Sequence, residues 1–380
     1  MAKLNEPKKK LAGLRQEIDQ LDHQLVELLH QRMEAVAQVA GAKRILGISV
    51  RDPQRETALL EDRIRIGTEK GLSADSVDSI FRLILSASRE YQANLHVDLP
   101  QTIDRRKVAV IGAKGGMGAR MVELFASLGH ELLEVDIGTD LTVEEAAQAS
   151  DVVILSVPID ATEEMIRRVG PLMAEDGLLM DITSVKKWPV ASMLDATKCS
   201  VVGTHPMFGP GVHTLQRQRV VVCPGRGEQW LAWVEAMFSA KGMVVARSTA
   251  DAHDRAMSVV QVLNHFCTQV FGLALARSGI GLDETLEFTS PVYLLELYMV
   301  ARHFAQSADL YAEIEMLNPR TDEVVGHFVQ AAKDLAGVIQ SEDRSAFRKI
   351  FQDVRQLFGS FAGEAMEQTK HLIDRLVERT

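Results

Sequence analysis

The sequence predicts a multidomain chain with an all-helical domain first, a parallel, doubly wound α/β domain next and a helical domain last. Three observations predict it. From Leu11 to Val39 apolar side chains recur three and four residues apart, the spacing of a packed helix. At Lys107 a short β-rich run meets a glycine turn and a helical stretch, and strand-like and helical runs then alternate down to Thr204. From Asp251 the pattern is helical to the end. A length of 380 residues exceeds the usual size of one core, which suits two or three domains.

Composition narrows the function. Asp and Glu outnumber Lys and Arg by 52 to 42, and no basic stripe appears, so nucleic acid is not an expected partner. No apolar run approaches membrane-spanning length, and Lys8, Lys9 and Lys10 precede an amphipathic helix rather than a signal-peptide core. No membrane association is expected, and the chain reads as cytoplasmic. Cys199, Cys223 and Cys267 are scattered and lack metal-ligand spacing, so neither disulfides nor a metal site is expected.

In the first helix the seam runs Leu11, Leu14, Ile18, Leu21, Leu25, Leu28, then lands on Arg32 before Ala35 and Val39 resume it. Arg15 lies beside the seam and Lys43 near its end. Taken singly, each cation could be a snorkelling or solvated charge. Several buried together are costly unless paired, which points to a pocket for a small dianion. At about 1.5 Å per residue the stretch from Lys8 to Leu46 is close to 60 Å long, too long to bury its seam in one small domain. Two copies are therefore expected to cross in a homodimer, with Arg15 reaching the partner's pocket. Gly47 should end this helix, and Asp52-Pro53 opens a second one as N-cap and first helical residue, with Arg55 and Glu56 in its first turn. A third helix, Ala74 to Asn94, aligns Ser88 and Gln92 with its core face of Val77, Ile80, Phe81, Ile84 and Leu85.

Leu14 to Ile18, Arg32, Gly41-Ala42-Lys43, Arg51 to Glu56, Ser88 and Gln92 together resemble the all-helical, AroQ-type chorismate mutases. The resemblance implies that Arg15 from the partner chain, Arg32 and Arg55 hold the carboxylates of chorismate. It also implies that Lys43 and Gln92 flank the breaking ether bond, that Asp52 and Glu56 hold the ring hydroxyl side, and that Ser88 meets a carboxylate. A Claisen rearrangement needs no nucleophile, only a folded substrate and donors aimed at the oxygen that gains charge.

Polar residues from His96 to Arg106, including Pro100, read as a linker. Lys107 to Ile111 is then a strand, Gly112-Ala113-Lys114-Gly115-Gly116-Met117-Gly118 a glycine turn, and the stretch to Leu128 a helix. That context gives a glycine fingerprint its dinucleotide-binding meaning, with Gly112, Gly115 and Gly118 as the cradle, although Ala113 departs from strict spacing. The next strand, from Glu131, ends in Asp136, where a carboxylate can accept from both ribose hydroxyls; no Arg follows, so NAD is favoured over NADP. Strands at Asp151–Pro158, Gly177–Asp181 and Ser200–Thr204 complete a Rossmann-type sheet. Their carboxyl ends carry Ser156, Ser184 with Lys186, and His205, and His205 suits a group that takes a proton while hydride leaves the same carbon.

Beyond Asp251 one helix runs to Leu275 and contains His265; another starts at Ser290-Pro291 and carries Arg302; two more cover Thr321 to Gln340 and Arg344 to Glu378. Such helices are expected to dimerise and close the substrate cleft. Ile154 to Pro158, Thr183 to Lys186, His205 to Pro210, Ser290 to Tyr293, Leu295 to Leu297 and Phe304 to Gln306 resemble a prephenate dehydrogenase. With the mutase in front, nearly the whole chain resembles the bifunctional chorismate mutase/prephenate dehydrogenases of tyrosine biosynthesis. The resemblance implies that His205 engages the ring hydroxyl of prephenate, Ser156 orients it and Arg302 binds a carboxylate. Lys186 and His265 match further site positions. Leu294 stands where many relatives carry a second Arg. It leaves open feedback by tyrosine, which in the absence of a separate sensing domain would act at the dehydrogenase cleft. The implied division is 1–98 mutase, 99–106 linker, 107–248 NAD-binding domain and 249–380 dimerisation and cleft domain. Two rivals are a mutase fused to an arogenate dehydrogenase and a sensor of aromatic metabolites without turnover.

Overall fold

The computed structural model describes residues 5–45, 52–94 and 104–377; Gly47, Arg51 and most of the expected linker, with Pro100, lie outside the described residues. The chain forms two compact units. The first comprises Met1–Val153, Pro206–Val220 and Glu228–Ala246, the second Ile154–His205, Val221–Gly227 and Arg247–Thr380.

The first unit opens with α1 (Asn5–Ile45), α2 (Pro53–Glu69) and α3 (Ala74–Asn94). Asp52 caps α2 as anticipated, its Oδ1 accepting from Arg55 N at 3.0 Å. α3 packs on both other helices. A Cβ at Gly67 would lie 2.5 Å from Val77 Cγ2, so glycine there lets α2 and α3 approach closely. The seam from Leu11 to Leu28 is 48 to 59 % exposed in the single chain. Six large apolar residues in one register are left for another surface to cover.

A seven-stranded sheet follows, with order β2-β1-β3-β4-β5-β6-β7. Its elements are β1 (Lys107–Ile111), α4 (Gly116–Ser127), β2 (Glu131–Val135), α5 (Val143–Ala149), β3 (Val152–Leu155), α6 (Ile159–Val169), β4 (Leu178–Asp181), α7 (Lys187–Ala196), β5 (Ser200–Pro206), β6 (Arg219–Arg226), α8 (Glu228–Ala240) and β7 (Val244–Arg247). β1 pairs parallel with β2 from Lys107↔Glu131 to Ile111↔Val135, and β4 with β5 from Leu178↔Ser200 to Asp181↔Gly203. β3 and β4 are buried at every residue, which is why they read as apolar runs up to the Asp181 that ends β4. β6 and β7 extend the sheet beyond the anticipated strands. Pro224 and Gly225 interrupt the pattern of β6, and β7 is only four residues long.

The second unit ends in helices α9 (Ala250–Met257), α10 (Asn264–Ser278), α11 (Leu282–Glu287), α12 (Pro291–Phe304), α13 (Ala308–Met316), α14 (Thr321–Gln340), α15 (Arg344–Phe358) and α16 (Phe361–Val377). A π-helical segment, Ser258–Leu263, joins α9 to α10 where a single α-helix was expected. Gly359, at φ 50°, divides the expected last helix into α15 and α16. Residues 250–278 together form a rod long and apolar enough to cross a membrane by length and composition, contrary to the expectation from uninterrupted apolar runs. The rod contacts α7, α12, α13 and α14 and buries His253 and Asp254, while α10 has no buried residue and only 6 % of the apolar window is buried within the single chain.

Candidate active sites

The helical domain gathers several of the anticipated mutase residues. Arg32 is half-buried and donates through Nη1 to Ser88 Oγ, while Ser88 donates on to Ile84 O at 2.6 Å. A hydroxyl is a neutral partner and, among the described residues, leaves the charge of Arg32 unbalanced. Burial, and then the neighbouring Arg63, lower the pKa of Arg32. Gln92 Nε2 donates to Ser88 O at 3.1 Å, and Gln92 Oε1 is buried without a partner. Glu56 Oε1 accepts from Arg89 Nη1 at 2.9 Å. Arg89 and Arg63 were not anticipated; both sit at ordinary solvated positions in the sequence pattern. Lys43 is half-buried, Asp52 and Arg55 are exposed at the start of α2, and Arg15 is exposed on α1.

The glycine turn has the geometry of a dinucleotide cradle. Gly112 takes φ 86°, a conformation that favours glycine. A Cβ at Gly118 would stand 1.9 Å from Gly112 O, and one at Gly115 would stand 3.3 Å from it. Gly115 caps α4 without a side-chain bond, and the first turn of α4 holds no acid, so its free N–H groups face a place suited to phosphate. Asp136 follows β2, its Oδ2 accepting from Lys114 N at 2.6 Å and its Oδ1 from Ile137 N at 2.7 Å. These bonds hold a carboxylate beside the turn, as a ribose-binding acid requires. The residues fit NAD.

His205 lies at the carboxyl end of β5, 3 % exposed. Its Nδ1 is 2.8 Å from His253 Nε2, and His253 Nδ1 is 2.7 Å from Asp254 Oδ1. Gln261 Nε2, on the π-helical segment, lies 3.5 Å from His205 Nε2. The nitrogen that an orienting partner would hold is thus taken by His253, whereas Ser156 stands half-buried after β3. His253, Asp254 and Gln261 had drawn no functional expectation; the adjacent His253-Asp254 pair was the only sequence signal.

Lys186 also differs from expectation. It is fully enclosed, its Nζ bonded to Asp181 Oδ2 and, at 2.7 Å, to Thr204 O. Burial lowers its pKa against the opposing pull of Asp181. With its donors engaged inside, Lys186 braces the end of β5 and is not free to meet a substrate carboxylate.

His265, one turn beyond Gln261, belongs to a second cluster. Its Nδ1 is 4.0 Å from Glu315 Oε1 without a hydrogen bond, and burial, then His303, push its pKa down to about 4. His303 stacks on Tyr311 at 3.9 Å, and Gln269 donates to Glu315 at 2.7 Å. His303, Tyr311, Glu315 and Gln269 line a cavity of about 370 Å³. Arg302 is exposed on α12, and Leu294 is buried in its packing face.

The fold and the glycine turn define a dinucleotide-dependent dehydrogenase with a helical domain in front. Residues 14–93 match the family described as chorismate mutase type II, 126–247 the nucleotide-binding domain of prephenate dehydrogenase, and 249–353 its dimerization domain. The chain is 35 % identical over 368 residues to the T-protein of Haemophilus influenzae, covering 96 % of this chain and 97 % of that protein. It therefore belongs to the T-protein family, in which a chorismate mutase is joined to a prephenate dehydrogenase. Among solved structures it is similar in fold to the prephenate dehydrogenase of Aquifex aeolicus in complex with hydroxyphenyl propionate and NAD+ (TM-score 0.54, 18 % identity, 67 % of this chain and 98 % of that one). It is similar also to Synechocystis arogenate dehydrogenase (TM-score 0.51, 18 % identity, 66 % and 98 %), so the fold alone does not choose between those substrates.

Proposed function

We propose that this chain rearranges chorismate to prephenate in its helical domain, then oxidises prephenate with NAD to 4-hydroxyphenylpyruvate and carbon dioxide, working as a cytoplasmic homodimer divided into domains at 98, 106 and 248. The observation that carries the first half is the half-buried Arg32, which among the described residues donates to a neutral hydroxyl. Arg32, Arg55 and the partner's Arg15 hold the two carboxylates, and Ser88 supports one of them. Lys43 and Gln92 face the ether oxygen that gains charge, and Asp52 and Glu56 hold the ring hydroxyl. The uncovered seam of α1 supports the second copy.

In the second half His205 Nε2 takes the proton of the ring hydroxyl. NAD, when bound, accepts the hydride. Arg302 fixes a carboxylate, while Ser156 and His265 border the substrate and Lys186 braces β5. Removing hydride leaves a ring from which the carboxylate departs as aromaticity forms. Tyrosine shares the phenol ring of the product's side, and we place its feedback binding at this same cleft.

Purified protein given chorismate, with and without NAD, tests both halves when chorismate loss and NADH appearance are followed separately. Chorismate should disappear in both cases and NADH should appear only with NAD. In Arg32→Ala the mutase rate should fall by about 3 kcal/mol in barrier terms, over a hundredfold, while supplied prephenate is still oxidised. Near-normal chorismate turnover by that variant would overturn the mutase assignment.

A further inference from the structure

We infer that His253 and Asp254 are positioning residues that hold His205 in the one neutral tautomer able to act as a base at Nε2. The inference rests on the reading that His205 accepts the proton of the substrate hydroxyl.

Asp254 is 1 % exposed. Its Oδ1 accepts from Lys186 N at 2.8 Å and its Oδ2 from Lys187 N at 3.0 Å, the two backbone donors at the start of α7. A carboxylate so placed is acceptor-only, so the third contact, from His253 Nδ1 at 2.7 Å, must be an N–H donating to it. In a neutral ring that leaves His253 Nε2 as an acceptor. The 2.8 Å contact to His205 Nδ1 then requires the proton on His205 Nδ1, and His205 Nε2 keeps its lone pair. On the far side the amide nitrogen of Gln261 lies 3.5 Å from that same Nε2, a placement compatible with an acceptor there. The capped helix and the two short contacts thus converge on one protonation pattern, with which the amide of Gln261 is compatible.

The consequence is chemical. As hydride leaves the substrate carbon, the hydroxyl proton passes to His205 Nε2 and the O–H electron pair becomes the carbonyl π bond. The imidazolium formed still donates from Nδ1 to His253, whose own N–H is anchored on Asp254, so the new positive charge is met by a fixed acceptor. The other charges facing His205 are Lys186, which disfavours that cation, and Asp181, which pairs with Lys186. Asp254 is therefore the carboxylate with a direct hydrogen-bonded route to the ring.

The full-length enzyme with 15N-labelled histidine reads the tautomer without turnover, His205 being assigned by its loss in His205→Asn. His205 should appear with a proton on Nδ1 and a bare Nε2; a proton on Nε2 in the resting neutral enzyme would overturn the inference. Kinetically, His253→Leu should lower kcat for prephenate about a hundredfold with KM changed less than about threefold, as expected when only the base is misdirected. Its mutase rate reports that the chain has folded. His253→Gln, whose amide oxygen can reach the place of the ring Nε2, should recover at least about tenfold of that loss. A Leu variant with kcat near wild type, or a folded Gln variant no better than Leu, would also overturn it. If the wild type fails to oxidise prephenate at all, the functional reading falls, and the 15N spectrum still decides the tautomer.

Discussion

His205 is enclosed on all sides by groups that decide its charge. Burial first, then His253 and Lys186, hold its pKa well below 6.5, so at neutral pH the ring is already the uncharged base the reaction needs. Because only the neutral form accepts a proton, lowering the pKa extends the active range toward acid. In kcat/KM against pH, the acidic limb should therefore lie below about 6.5, the ordinary histidine value, and the rate should be level from there through neutrality. His205→Asn keeps a polar side chain but offers no proton acceptor of comparable basicity. Its kcat should fall by about a hundredfold or more with prephenate still bound, and its profile should lose the limb. A still-active variant with the limb unchanged would place the base elsewhere.

At the scale of elements, the glycine turn between β1 and α4 is tightly constrained. A methyl at Gly118 would be driven to 1.9 Å from Gly112 O and 2.8 Å from Gly112 C, both backbone atoms that cannot step aside without moving the turn. Gly118→Ala should therefore weaken NAD binding by at least about tenfold, roughly 1.4 kcal/mol, and leave the mutase rate unchanged. Titration of the variant with NAD checks this, and an unaltered affinity would mean that the turn is not the phosphate cradle. This turn was legible in the sequence because its signal is local: strand, glycines, helix and the acid of Asp136. The cap at Asp52 and the bounds of α3 were legible for the same reason. What was hidden depends on contacts between distant segments. His253 gains its role from a residue 48 positions away, the π-helical turn that presents Gln261 has no local signature, and Lys186, read as a site cation at a strand's end, is enclosed by Asp181 and Thr204.

For the whole molecule, the open question of substrate is set by how much cationic charge the dehydrogenase half presents and by what feeds it. Leu294 is buried and uncharged, and Lys186 is sequestered, which leaves Arg302 as the exposed cation of the anticipated set. Glu315, whose pKa burial raises, stands near His265, so an acid able to meet the ammonium of arogenate is present. Those observations narrow the preference for prephenate. The fused mutase widens it again, because the product released by the helical domain is prephenate itself, with its keto group still in place. We expect kcat/KM for prephenate at least about tenfold above that for arogenate, a difference of about 1.4 kcal/mol in transition-state binding. Side-by-side kinetics on the two substrates with Glu315→Gln and Arg302→Gln decide the matter. If Glu315 pairs an ammonium, Glu315→Gln loses its arogenate rate selectively; if Arg302 holds a carboxylate, Arg302→Gln raises KM for prephenate. Equal or better turnover of arogenate by the wild type, or an Arg302→Gln enzyme with unchanged prephenate KM, would sink the assignment of the dehydrogenase substrate while leaving the mutase half standing.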